Sequence, residues 1–532
     1  MKNYRHRSYL AHTLPCLGYG LLCGTLVGVV LFFFKLAAEK LEHYSKIIYG
    51  AAQEHIGYAV LLFAGLILLA SAMYLLHRRA PESKGGGIPR SEGILRGLLT
   101  FRWLRVLVGT VVGSFISFFC GLPLGSEGPS VLVGTALSHE VGNISKDREA
   151  WNRYVMTGGA CAGFAVATGS PLTAILFALE EVHKRFTPML VLIASVSVGT
   201  ATYMNFLLCE LFDITPTLFA VGAVVDLDIG DTGYVLLLAL LVAASVAIFD
   251  SAVAAARGLL RRAGKKIPDY AKLLTVFLLT GVIGLFFIDG LYSGRGIILG
   301  ILDGGRALSY LFLLLLIRFV MMILTSTSGA TGGIFVPTLA IGALVGAISG
   351  KLLVSVGMRE ELYGTVVLLA MVAFMGGTMR SPITAALFFI ESTAAFTNLF
   401  YVALAVFVVY FAAELFNREP FYDAVLDDMV EEQNRGKTRK IVHYEVVVSE
   451  GAFVIGKAVR DILWPHSAIV TSIVRAEGAE KSMDNGGEKK MYAGDTIALK
   501  IQLCDEEEVK QCLYNLVGRD HEIRETEAAE IL

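Results

Sequence analysis

One carboxylate, Glu127, sits alone in an apolar stretch at residues 121–134, Gly-Leu-Pro-Leu-Gly-Ser-Glu-Gly-Pro-Ser-Val-Leu-Val-Gly. An ionised group at membrane depth costs at least about 2.5–3.5 kcal/mol, so such an acid marks an ion or proton path. Gly125 and Gly128 allow bare backbone to approach a ligand, and Pro129 suits the first turn of a helix. A helix over Ser130 to Leu137 aims its N-terminal N–H groups back at Glu127. Those groups carry partial positive charge and form an anion seat, which the carboxylate then occupies. An acidic pair, Glu180-Glu181, precedes Lys184 and Arg185. Residue types alone leave Glu181 either an interfacial acid paired with those cations or a group that moves protons. An intramembrane enzyme using Glu127 and Glu181 is disfavoured. The two lie 54 positions apart, on separate helices, with no serine–histidine or metal-ligand set beside them.

The chain that must position these acids has 532 residues, 55% hydrophobic and 17% charged. The usual charged share is about 25%. With a mean hydropathy of +0.64, it reads as an all-α polytopic membrane protein. The formal net charge of −2 says nothing about nucleic acid, and with no basic, aromatic-interleaved patch no nucleic-acid partner is expected. Seven cysteines show no metal or disulfide spacing, and Cys16, Cys23, Cys120 and Cys161 fall in apolar segments as small core residues. No metal or cofactor is expected. The basic N-terminus (Lys2, Arg5, Arg7) precedes an apolar run without a small-residue cleavage site, which reads as a retained first helix.

Apolar segments fall near 14–35, 57–76, 103–121, 129–143, 155–180, 187–208, 233–255, 271–289, 307–326, 336–356, 362–376, 382–396 and 399–415. Several are too short to span alone at about 20 residues per crossing. Broken helices of this kind persist only where protein or a water-filled path satisfies their backbone. Basic residues gather at 77–105, 183–185 and 257–266, the last including Lys265 and Lys266, whereas 210–231 is acidic. The positive-inside rule then puts both termini and the basic loops in the cytoplasm and 210–231 outside, at a cell membrane.

The two halves so divided repeat. Gly169-Ser170-Pro171-Leu172-Thr173-Ala174 returns as Arg380-Ser381-Pro382-Ile383-Thr384-Ala385, an offset of 211. Gly125…Pro129…Gly134 returns as Gly333…Pro337…Gly342, an offset of 208. Halves that start on opposite sides make the repeat inverted, about 14–208 against 233–425, which is transporter architecture. Beyond the membrane part (1–425) a charged linker is expected at 426–442. A small α/β domain is expected at 443–518, with strands at 443–448, 468–475 and 496–502, helices at 456–463 and 505–517, and a tail at 519–532.

The membrane part resembles the CLC family of anion channels and anion/proton antiporters. The resemblance rests on Gly85-Gly86-Gly87-Ile88-Pro89, Gly125-Ser126-Glu127-Gly128-Pro129, Gly333-Ile334-Phe335-Val336-Pro337 and Pro420-Phe421-Tyr422-Asp423-Ala424-Val425-Leu426, in family order and spacing. The resemblance implies a homodimer with one pathway per subunit and exchange of chloride or a related anion for protons. A passive chloride channel or a fluoride transporter of the same fold is the alternative. It further implies Glu127 as gating and external proton glutamate, Glu181 as internal proton glutamate, and an anion site from Gly86, Gly87, Ile88, Glu127, Gly128, Ile334, Phe335 and Tyr422. Two departures stand out. Gly86 replaces a common serine, and Ser126 replaces a common arginine. The C-terminal domain is similar to the TrkA-C module, which implies a small cytoplasmic ligand.

Overall fold

The computed structural model describes residues 2–143, 148–214, 224–263, 267–417, 419–475, 480–482 and 487–531. Lys265, Lys266 and positions 215–223 of the acidic stretch lie outside them.

Two sets of helices follow the sequence repeat element by element. The first holds α1 (Lys2–Glu54), α2 (Ile56–Arg79), α3 (Ile88–Arg96), α4 (Trp103–Phe119), α5 (Glu127–Gly142), α6 (Arg148–Thr168), α7 (Pro171–Phe177) and α8 (Pro188–Leu211). The second holds α9 (Thr232–Ala263), α10 (Asp269–Phe286), α11 (Arg295–Gly300), α12 (Leu308–Ser328), α13 (Phe335–Ser355), α14 (Tyr363–Met379), α15 (Pro382–Thr393) and α16 (Leu399–Leu415). A further helix, α17 (Phe421–Gln433), closes the membrane part. Among the described residues nine helices are long and apolar enough to cross a membrane. The fold is an inverted repeat with broken helices.

The expected apolar segments map onto these helices with two notable differences. The first runs far past 14–35, through Pro15, as the single helix α1. The stretch 155–180 is not one helix: it breaks at Gly169 (φ 71°) and restarts at Pro171, then widens into a π-helical turn at Ala178–Val182. Positive φ suits glycine, and a proline at the first helical position loses no hydrogen bond.

The repeats hold each other reciprocally. Gly125 N donates to Gly333 O and Gly333 N to Gly125 O, each at 2.7 Å. Glu391 of α15 accepts from Leu172 N (2.8 Å), Thr173 N (2.7 Å) and Thr173 Oγ1 (2.6 Å) at the start of α7. Its repeat mate Glu180 accepts from Ile383 N (3.0 Å), Thr384 N (2.7 Å) and Thr384 Oγ1 (2.6 Å) at the start of α15. Each half thereby caps the other's helix with a charged acceptor. The interior pairs use small residues. A Cβ at Gly342 of α13 would lie 2.9 Å from Met371 O of α14, so glycine permits the close crossing of two nearly enclosed helices. Cys16, Cys23, Cys120 and Cys161 are all fully buried in these packed interfaces.

The C-terminal domain is an antiparallel five-stranded sheet with one helix. Its strands are β1 (Lys440–Val447), β2 (Ile469–Val474), β3 (Glu480–Ser482), β4 (Thr496–Leu503) and β5 (Arg524–Ile531), in the order β3-β2-β4-β1-β5. Alternate residues Val442, Tyr444 and Val446 of β1, and Ile497, Leu499 and Ile501 of β4, are buried beneath α18 (Glu506–Val517). That is the period of two of a sheet with one packed face.

Three details depart from expectation. The helix at 456–463 is absent, apart from a 3₁₀ turn at Val459–Asp461, because its backbone is committed elsewhere. Gly456 N donates to Met491 O, Val459 N to Lys489 O and Arg460 N to Gly487 O, at 2.8–3.1 Å. The linker at 426–442 begins inside α17, and the tail at 519–532 supplies β5, an edge strand beside β1.

Candidate ion-transport site

Three helices begin at one crossing of glycine backbones: α3 after Gly87, α5 at Glu127 and α13 after Ile334. A Cβ on Gly128 would lie 2.8 Å from Gly333 Cα and 2.9 Å from Gly87 Cα. The three signatures therefore meet backbone against backbone, and any side chain would wedge them apart. Gly85 extends the crossing: its N donates to Gly329 O (2.8 Å) and its O accepts from Gly332 N (3.3 Å). The N–H groups of the first turn of each helix have no intrahelical partner. At one point in a low-dielectric interior, partial positive charges of this kind can hold an anion.

Gly128→Ala is accordingly expected to cost about 1–3 kcal/mol in overpacking. Because the displaced atoms line the crossing, anion flux per folded protein should fall by at least about tenfold, the equivalent of about 1.4 kcal/mol. Reconstituted flux normalised to monodisperse protein measures this; wild-type flux would mean that the crossing is not on the path.

Glu127 opens α5 and is 2% exposed. Ser126 Oγ donates to its Oε1 at 3.3 Å, whereas Oε2 is buried without a hydrogen-bond partner. No arginine stands at 126; the cations whose field reaches Glu127 are Lys35 of α1 and Arg295 of α11. Tyr422, the second residue of α17, is fully buried, and its hydroxyl also has no partner. It lines a cavity of about 30 Å³ together with Gly86, Ile88, Ile334, Thr325 and Ser326. Phe335 packs edge-on against Phe164 and Phe388, walling the seat with rings.

Gly85, Gly86 and Gly87 all have positive φ, at 74°, 64° and 89°. A serine at 86 in this backbone carries roughly 1–2 kcal/mol of strain, and its Cβ would sit 3.3 Å from Thr331 Cγ2. The missing hydroxyl is thus matched by a loop conformation built for glycine, and the side-chain hydroxyls bordering the cavity, Tyr422 apart, come from Thr325 and Ser326 of α12.

Glu181 is 1% exposed and pairs with neither Lys184 nor Arg185. Its Oε2 accepts a short hydrogen bond from Ser381, and Oε1 is buried without a partner. The π-turn separates the adjacent acids: Glu180 caps α15, and Glu181 turns into the protein. Such widened turns recur at functional positions. Ser392 stands at the repeat position of Glu181, whereas Glu391 stands at that of Glu180. The acid kept by both halves caps a helix, whereas the acid present in one half keeps one oxygen without a hydrogen-bond partner.

A third buried acid, Glu92 of α3, is fully buried with Arg96 Nη2 at 2.6 Å. Sequence reading passes over it, because Glu and Arg four apart resemble a solvated helix pair. Arg96 also donates to the carbonyls of Glu181 (3.2 Å) and Val182 (2.7 Å), and it reaches Asp423 at 3.4 Å. Lys184 pairs with Asp423 at 2.6 Å, Arg257 with Asp428 at 2.7 Å and Lys84 with Glu432 at 3.3 Å. Cations from both halves thus pin α17 and with it Tyr422: Arg96 on α3, Lys84 and Lys184 in loops, and Arg257 on α9.

The profile of the voltage gated chloride channel family matches residues 64–414, more than half of the chain. The chain belongs to this family. Among curated relatives of this CLC group, the H(+)/Cl(-) exchange transporters ClcA of Salmonella paratyphi B and Salmonella newport are each 27% identical over 426 residues, covering 78% of this chain and 89% of the relative. Among solved structures, a slow cyanobacterial Cl-/H+ antiporter superposes with a TM-score of 0.71 at 24% identity, over 79% of this chain and 99% of that one. A CLC-type fluoride/proton antiporter gives 0.63 at 22% identity, over 76% and 96%. These two likenesses are of fold.

Proposed function

We propose that this CLC protein is a secondary active antiporter that exchanges chloride for protons. The observation that carries the reading is the pair of fully enclosed polar atoms without partners, Glu127 Oε2 and Tyr422 Oη, beside a crossing of helix N-termini. Other buried polar side chains also lack a partner, but these two lie at a crossing of helix N-termini, where a transported ion would meet them. A dehydrated chloride needs donors rather than full positive charges, which would hold it too tightly to leave. The N–H groups at Ile334 and Phe335, the Tyr422 hydroxyl, and the backbone of Gly86, Gly87, Ile88 and Gly128 supply such donors.

The Glu127 carboxylate and chloride compete for one seat. Protonation removes the carboxylate's charge and its claim on the helix N-termini, so proton uptake and anion entry become one event. Glu181, held by Ser381, exchanges protons with the opposite face. The relatives named as H(+)/Cl(-) exchange transporters support this assignment, and a carboxylate at 181 favours coupling over passive conduction. The role is transport rather than catalysis of a covalent reaction. In our reading the protein is a homodimer with a pathway in each subunit, its termini are cytoplasmic at a cell membrane, and the C-terminal sheet domain from β1 to β5 is a regulatory module similar to TrkA-C.

Proteoliposomes test it. An imposed chloride gradient should drive protons uphill in the opposite direction, with a reversal potential that responds to both gradients. Chloride flux without proton movement would make the protein a channel. Proton movement driven by fluoride in preference to chloride would make it a fluoride exporter.

A further inference from the structure

The C-terminal sheet docks on the start of α6. Arg153 donates to the carbonyls of Leu95 (2.8 Å), Leu463 (3.0 Å) and Trp464 (3.0 Å), and the Tyr154 hydroxyl bridges Asp461 O and Leu463 N. Trp151 meets the Phe453 ring edge-on at 5.3 Å. Beside this contact lies a cavity of about 550 Å³, walled by both parts of the chain. Arg96, Arg153, Lys184 and Arg185 enter it from the membrane part; Lys500 enters from β4 and His466 from the turn before β2. No aspartate or glutamate lines it.

Arg96 and Lys184 have acidic partners in Glu92 and Asp423. The carbonyls around Arg153 orient its guanidinium but carry no counter-charge. Arg185 and Lys500 form no ion pair among the described residues. Three positive charges thus face one half-open volume with no ion-pair partner among the described residues. Partial desolvation, together with Arg96, Arg153 and Arg185 around it, holds His466 below its ordinary value.

We propose that this cavity is a regulatory site for a phosphate-bearing polyanion of nucleotide size. Its volume lies in the usual range for small-molecule sites, about 300–1,000 Å³. Guanidinium groups match phosphate oxygens in pairs, and a cleft lined by one sign of charge concentrates such anions. The occupant bridges the sheet and the membrane part, so it favours the docked arrangement by its differential affinity. Its reach to transport is short. Lys184 and Arg96 contact Asp423, the neighbour of Tyr422, and Arg96 also holds the carbonyl of Glu181. A phosphate drawing Lys184 away from Asp423 loosens the anchor of α17.

Binding is measured on the purified full-length protein in neutral detergent at constant ionic strength, with metal-free ATP and pyrophosphate as probes. No flux is read, so the result is independent of the roles given to Glu127 and Glu181. Saturable binding with a Kd below about 1 mM is expected. Arg185→Gln and Lys500→Gln should each weaken it by about tenfold or more. Arg460→Gln, which removes an exposed cation paired with Glu488 outside the cavity, should leave it unchanged. Repeating the titration in nanodiscs of phosphatidylcholine with and without phosphatidylglycerol separates the sources. Competition by the anionic lipid, lost in Arg185→Gln, would assign the site to a headgroup phosphate; no competition would assign it to a soluble anion. Absence of saturable binding of either probe, with or without anionic lipid, would overturn the proposal. So would binding insensitive to both cavity substitutions.

Discussion

Glu127→Gln is expected to abolish proton transport while anion flux continues. Glutamine keeps the size of the side chain, so the crossing of Gly87, Gly128 and Gly333 is undisturbed. It removes the charge that competes for the α5 N-terminus. A charge at such a terminus is worth about 0.3–2 kcal/mol, so the side chain's hold on the seat should weaken by roughly twofold to thirtyfold. The amide also has no titratable proton, and coupling requires one. Simultaneous recording of chloride and pH in proteoliposomes should show anion movement above, and proton movement equal to, that of protein-free vesicles. Wild-type proton transport in this variant would remove Glu127 from the mechanism.

The fold and the part of this site around Glu127 are legible in the sequence because their determinants are local. A glycine–acid–glycine–proline run in an apolar stretch states its chemistry within five residues, and Ser-Pro-Leu-Thr-Ala repeating as Ser-Pro-Ile-Thr-Ala exposes the inverted repeat. The part around Glu181 is hidden because it depends on contacts far apart in the chain. Nothing local tells Glu180 from Glu181; the distinction comes from Thr384 and Ser381, about 200 positions away. Glu92 looks like a surface acid until α3 is placed inside the protein. The fate of 456–463 is decided by partners at 487–491, and β5 is recognisable as a strand only by its pairing with β1. Ladders of that kind are non-local, whereas a helix writes its period along its own residues.

Glu181 yields the sharpest separation, because its neighbour serves as the control. Glu181→Gln keeps an amide oxygen to accept the Ser381 hydroxyl, so the fold should hold, and it removes the proton carrier. Proton movement should fall to the level of protein-free liposomes. Anion flux should continue, because the side chain's protein partner, Ser381, lies outside the residues that line the Tyr422 cavity. Glu180→Gln is expected to do the reverse. Its carboxylate accepts two N–H groups and a hydroxyl at the start of α15, and charged hydrogen bonds of this kind are worth about 1.5–3 kcal/mol. The loss should appear as a lower Tm and a smaller yield of folded protein, with the ratio of protons to anions unchanged in what remains. The inverted repeat adds a second control. Glu391→Gln removes the symmetric cap on α7, so its thermal profile should match that of Glu180→Gln while Glu181→Gln stays near wild type. If Glu181→Gln stopped both fluxes in a folded protein, Glu181 would be a structural acid like its neighbour. Loss of coupling in Glu180→Gln or Glu391→Gln would mean that the caps, and not Glu181, carry protons.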